Sequence, residues 1–123
     1  MRVFINGFGR IGRSVLRAWA KGAAPGIEVV GINDIAAPEM CAYLFEYDSV
    51  FGPWPGQVAL ADGALVVDGR AIPLHRTADI SGLDLSGVDL VMECTGRADR
   101  REVAERGLIA GARRVAASVA FAM

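Results

Sequence analysis

Apolar and polar positions along these 123 residues fall into blocks whose period changes several times. Arg2 to Asn6 is a β-branched and aromatic run halted by Gly7, the pattern of a buried strand. From Arg10 the spacing turns helical. Ile11, Val15, Ala18 and Trp19 share one face, while Arg10, Arg13, Arg17 and Lys21 line the other. Ala23-Ala24-Pro25-Gly26 breaks that helix, and Ile27 to Ile32 predicts a second strand ending at Asn33-Asp34. Pro38 to Tyr47 predicts a short helix with Pro38 in its first turn and Met40, Tyr43, Leu44 and Tyr47 as its apolar stripe.

The middle follows a different grammar. Three apolar runs beginning at Val58, Ala64 and Ala71 are joined by Asp62-Gly63 and Asp68-Gly69, the dipeptides that favour tight hairpins. Residues 57–75 therefore predict an antiparallel meander, with Pro73 placing its strand at an edge or near its own end. Strand and helix then alternate again. Asp89 to Cys94 is a strand stopped by Thr95-Gly96, and Asp99 with Glu102 forms a capping pair for the helix that follows. That helix turns Val103, Ala104, Gly107 and Leu108 inward and ends at Gly111, and Arg113 to Ser118 is one more strand. The alternation predicts an α/β fold with a mainly parallel sheet around a meander insertion.

One motif carries chemistry. Gly7-Phe8-Gly9-Arg10-Ile11-Gly12 is a GxGxxG between a strand and an amphipathic helix, and Asp34 ends the next strand 22 positions beyond Gly12. In this context Gly7 permits the sharp turn, Gly9 lets a pyrophosphate approach the backbone, and Gly12 lets helix and strand lie close. The pyrophosphate would meet unpaired N–H groups near Arg10 and Ile11 at the positive end of the helix. Asp34 would accept from the adenosine ribose hydroxyls and repel a 2′-phosphate, which favours NAD over NADP.

Composition narrows the alternatives. Thirteen basic against fourteen acidic side chains argue against a nucleic-acid partner. Cys41 and Cys94 lie far apart with no CxxC, which argues against a disulfide scaffold or a cysteine metal site. No apolar run reaches the length of a membrane span, and Asn6-Gly7 interrupts the apolar start before a secretory leader could form. A soluble cytoplasmic protein is expected.

The stretch Ile5 to Arg13 also closely resembles the N-terminal signature of phosphorylating glyceraldehyde-3-phosphate dehydrogenases and their erythrose-4-phosphate relatives. The resemblance continues in register through Gly31-Ile32-Asn33-Asp34, Tyr47-Asp48-Ser49-Val50-Phe51-Gly52 and Glu93-Cys94-Thr95-Gly96, to about residue 118. It implies a Rossmann-type NAD-binding domain over 1–118, followed by a divergent apolar tail over 119–123. It further implies that Asn6, Arg10 and Ile11 line the pyrophosphate and that Asp34 holds the ribose, within a cofactor-binding set that also takes in Gly7, Phe8, Gly9, Gly12 and Asn33. Arg76 matches an arginine beside the adenine, Thr95 and Gly96 the turn under the nicotinamide ribose, and Ser118 the serine ending the next strand. Cys94 stands where many relatives carry serine.

The family's Ser-Cys-Thr-Thr-Asn nucleophile stretch and its histidine base do not occur in these residues. Cofactor binding without turnover is therefore expected, the alternative being a non-catalytic oligomerising or regulatory module. Cys41 and Cys94 read as packing rather than nucleophiles, and His75 as a rim residue. Arg100, Arg101 and Arg106 with Glu102 and Glu105 read as a solvated helix face that includes a Glu102–Arg106 pair. Trp54 reads as a loop anchor. The final strand, with an unpaired edge, predicts self-association into dimers or larger assemblies, through that edge or through an apolar face left bare.

Overall fold

A computed structural model of the chain describes residues 1–96 and 101–117. The expected capping residue Asp99, Arg100, Ser118 and the tail at 119–123 lie outside the described residues. In chain order the elements are β1 (Arg2–Asn6), α1 (Arg10–Ala20), β2 (Glu28–Asn33), α2 (Pro38–Glu46), β3 (Tyr47–Asp48), β4 (Gly52–Pro53), β5 (Val58–Ala61), β6 (Ala64–Val67) and β7 (Arg70–His75). A 3₁₀ turn at Ile80–Gly82 then leads to β8 (Leu90–Glu93), α3 (Arg101–Ile109) and β9 (Arg114–Ala117).

Seven strands form one sheet in the order β5-β6-β7-β2-β1-β8-β9. The five from β7 to β9 run parallel, while β5, β6 and β7 form the expected antiparallel meander. At the two hairpins Asp62 and Asp68 adopt φ of 51° and 49°, and each is followed by a glycine that is also left-handed, as tight two-residue turns require. Pro73 sits where β7 leaves β6 and joins β2, so its strand is internal and only the second half of that expectation holds.

Strand β1 is the middle of the five parallel strands, and its side chains alternate between two cores. Ile5 joins Phe8, Leu16, Trp19, Ile32 and Phe45 under α1 and α2. Phe4 joins Ile80, Leu85, Val91 and Ala110 on the face that α3 covers. Both faces of the parallel part are thus closed, as such sheets require.

Three helix faces differ from the sequence expectation. On α1 the buried residues are Gly12, Leu16, Arg17 and Trp19, whereas Ile11 and Ala18 are exposed. The helix is covered on two sides, by the sheet and by the segment around α2. Arg17 lies between them, its Nη2 donating to Phe45 O at 2.7 Å and Gly52 O at 2.9 Å, its guanidinium over the Phe45 and Trp54 rings. On α2 the core takes Cys41 and Phe45, leaving Met40, Tyr43 and Tyr47 exposed. On α3 Leu108 faces solvent, and Val103 and Gly107 with Ala110 just beyond it face the sheet. A Cβ on Gly107 would come 2.9 Å from Val115, so that helix needs glycine to lie so close. Arg101 rather than Glu102 forms the i,i+4 pair, with Glu105 at 2.8 Å.

Two smaller features complete the fold. Asp48 accepts from Val50 N and Phe51 N and closes the short β3–β4 ribbon. Trp54 is buried as expected, its Nε1–H donating to Asp68 at 3.2 Å.

Candidate functional site

The turn from β1 into α1 is built from bare backbone. Gly7 carries φ of +100°, and a Cβ on it would come 2.7 Å from the Cys94 carbonyl carbon. Conformation and contact both demand glycine there. A Cβ on Gly12 would strike the Gly7 carbonyl oxygen, so the first turn of α1 rests directly on the strand end. Gly9 differs. It is exposed, and a Cβ on it would meet no described atom within 4 Å. Gly9 is also the N-cap, with no side chain to bond the first-turn amides, and the first turn holds no acidic residue. The helix therefore presents its positive end and its leading N–H groups outward beside the exposed Arg10 and Ile11.

Asp34 closes this turn from the neighbouring strand. Its Oδ2 accepts from Phe8 N at 2.7 Å and its Oδ1 from Ala36 N at 2.8 Å. The carboxylate is thereby held beside the glycine turn, half-buried, with one contact on each oxygen. Phe8 contributes only that amide, since its ring lies in the core 6.2 Å from the Phe45 ring.

Register supplies the floor. Asn6, Asn33 and Glu93 are the last residues of β1, β2 and β8, and Asn6 pairs with both of the others across adjacent parallel strands. All three are buried, and their side chains bond in a row. Asn6 Nδ2 donates to Glu93 Oε1 at 3.0 Å and Oε2 at 2.7 Å. Asn33 Nδ2 donates to Asn6 Oδ1 at 2.8 Å and to Thr77 O at 2.9 Å, and Asn33 Oδ1 accepts from Thr77 N at 3.0 Å. Burial pushes the Glu93 carboxyl up from 4.5 to about 7, against the opposing pull of the Asn6 hydrogen bonds and of Arg106.

A cavity of about 290 Å³ opens over this row, at the point where the chain passes from one side of β1 to the other. Of the residues expected from sequence, Asn6, Gly7, Gly9, Asn33, Asp34 and Thr95 line it. Arg10 and Ile11 are exposed in the first turn of α1 and are not among the lining residues, and Gly12 rests against the Gly7 carbonyl behind the turn. Gly96 follows Thr95 in a left-handed conformation, and Arg76 is exposed with its Nε donating to Ile35 O at 2.9 Å.

Glu93, Thr77 and Arg106 line the cavity without having been expected there. Arg106 leaves the expected solvated face of α3 to approach Asp79 at 3.5 Å. Nothing in an apolar strand ending in glutamate marks that carboxyl as buried; only the register with Asn6 does. Cys94 also lines the cavity. Cys41 is buried away from it, and burial, aided by the charge of Asp34, raises its thiol to about 11, which suits packing and not attack. His75 is half-buried against Phe4, ring centroids 5.6 Å apart. Chemically the site offers amide donors for an anion and a fixed carboxylate for hydroxyl groups.

Comparison with known proteins finds similarity along most of the chain. The family model described as glyceraldehyde 3-phosphate dehydrogenase, NAD binding domain, matches residues 1–101. Glyceraldehyde-3-phosphate dehydrogenase of Clostridium pasteurianum is 44% identical over 119 residues, which is 95% of this chain and 35% of that protein. The Thermotoga maritima enzyme of the same name is 48% identical over 117 residues, 93% of this chain and 35% of that protein. A cytosolic one from Leishmania mexicana is 46% identical over 94% of this chain and 35% of its own length. The chain thus spans about a third of the length of these curated relatives.

Proposed function

The chain belongs to the glyceraldehyde 3-phosphate dehydrogenase NAD-binding domain family, and from that premise we propose that NAD occupies the cavity over β1, β2 and β8. Its pyrophosphate rests on the leading amides of α1 at Gly9, Arg10 and Ile11, and its adenosine ribose on Asp34. One observation carries this reading: the Asp34 carboxylate is held 2.7 Å from the Phe8 amide, beside a turn whose Gly9 leaves its outer face open. Fixed there, it retains lone pairs for a vicinal diol and a charge that repels a 2′-phosphate.

The family resemblance supports the remaining assignments. Thr95 and Gly96 lie under the second ribose and Arg76 beside the adenine, and Ser118 completes the set by that resemblance alone. Asn6 and Asn33 contribute through the buried row, because their amides are already engaged there. Residues 1–118 act as one binding unit. Bound NAD supplies a hydride acceptor, and the parent reaction is the NAD-dependent oxidation and phosphorylation of an aldose phosphate. These 123 residues bind the cofactor without turning it over. Association with further copies and a cytoplasmic setting complete the proposal; among the described residues no helix is long and apolar enough to cross a membrane.

Calorimetry tests it. NAD should bind with a dissociation constant of roughly tens of micromolar to millimolar, and NADP at least about tenfold more weakly. Equal affinities, or folded protein that ignores about 5 mM NAD, would contradict the proposal.

A further inference from the structure

Phe8 is held at both ends of its backbone. Its N–H donates to Asp34 Oδ2 at 2.7 Å, and its carbonyl oxygen accepts from Arg13 Nη1 at 2.9 Å. Its ring is anchored in the core beside Phe45. A trans peptide is planar, so the Phe8 carbonyl and the Gly9 N–H point in opposite directions. Arg13 is not among the residues that line the cavity, whereas Gly9 is. Drawing the carbonyl toward Arg13 therefore aims the Gly9 N–H away from that side chain and outward from the turn.

Gly9 itself does not hold this orientation. It adopts φ of −77°, and glycine takes positive φ about as readily as negative. The Phe8–Gly9 unit could therefore turn over without a Cβ to oppose it. Turned, it would set the Phe8 oxygen toward an anion in place of the Gly9 N–H. The fixed Phe8 N–H lies in the preceding peptide unit and does not prevent the turn; the bond from Arg13 does. Arg13 sits in the first turn of α1, and its charge acts on Cys41 and Asp48, toward the α2 segment.

We propose that Arg13 is a positioning residue of the dinucleotide site: by holding the Phe8 carbonyl inward it keeps the Gly9 N–H turned toward the pyrophosphate. The inference rests on the NAD reading above and adds to it a residue that does not itself touch the cofactor.

The experiment compares the full chain with Arg13→Met and Arg13→Lys by thermal melting, NAD titration and the Gly9 amide resonance. Methionine keeps most of the stem. It removes the bond to Phe8 but also a buried Nε that has no partner, so the melting temperature should move by no more than a few degrees. NAD affinity should fall about tenfold. The loss should persist at about 0.5 M salt, where charges are screened beyond about 4 Å. On saturation with NAD, the shift of the Gly9 amide should shrink more than those of Arg10 and Ile11, a selectivity that a purely structural residue would not produce. Arg13→Lys keeps a charged donor for the Phe8 oxygen and should recover most of the affinity and of the Gly9 shift. Undiminished affinity in Arg13→Met overturns the inference while leaving the NAD reading intact, as does a loss that vanishes at high salt. A methionine variant that fails to fold, or a folded lysine variant without the Gly9 shift, overturns it as well. An unaltered chain that binds no NAD removes both.

Discussion

Gly9 and Gly12 look equivalent in the motif, yet they do different physical work. Gly12 has the Gly7 carbonyl where its Cβ would be, so Gly12→Ala must push α1 off the strand end and should destabilise the fold by about 1–3 kcal/mol. A methyl group on Gly9 meets no described atom, so Gly9→Ala should leave the melting temperature nearly unchanged and weaken NAD about tenfold by intruding on its phosphates. Paired melting and titration curves check this. Loss of stability in both variants, or loss of NAD binding in neither, would refute the division. At this scale the glycines and Asp34 were readable because their spacing follows from a ligand's dimensions. Glu93 was not, because its burial comes from register with Asn6, a relation between strands 87 positions apart. Nor was Arg17 readable: a cation counts as polar in any periodicity, whereas here two backbone carbonyls and two aromatic rings make the interior acceptable to it.

Elements were legible in kind and less so in orientation. Among the described residues the parallel strands and the three helices stand close to where period and turn residues placed them. The faces of α1 and α2 were displaced because each helix packs on more than the sheet. Phe45 is drawn inward by Phe8, Trp54 and Arg17, which turns Met40, Tyr43 and Tyr47 to solvent. The far edge carries a prediction of its own. Strand β9 pairs with β8 alone among the described residues, Ala116 and Ala117 are exposed on it, and Leu108 and Ile109 lie exposed nearby on α3. Such an edge recruits other strands. Sedimentation should show dimers or larger species at high concentration, and Ala116→Lys, which sets a charge on the edge strand, should shift the chain toward monomer. A chain that is monomeric throughout would dismiss the edge as an association surface, and a lysine without effect would move attention to the exposed face of α2.

For the whole molecule, β1 lies between β2 and β8, so the chain leaves it in two directions and a crevice opens above its end. That single topological fact places the first turn of α1, the Asp34 carboxylate and the Asn6–Asn33–Glu93 row around one cavity. The strand–helix alternation forecast the mainly parallel sheet, while the crevice above β1 and its buried hydrogen bonds emerged only once the strands were aligned. The most direct test follows backbone amide resonances of the isotopically labelled chain during titration with NAD. Gly9, Arg10 and Ile11 should shift furthest, with Ile35 and Thr95 moving on the same saturable curve. Shifts centred on the β5–β7 meander or on α2, with the glycine turn unmoved, would contradict the account.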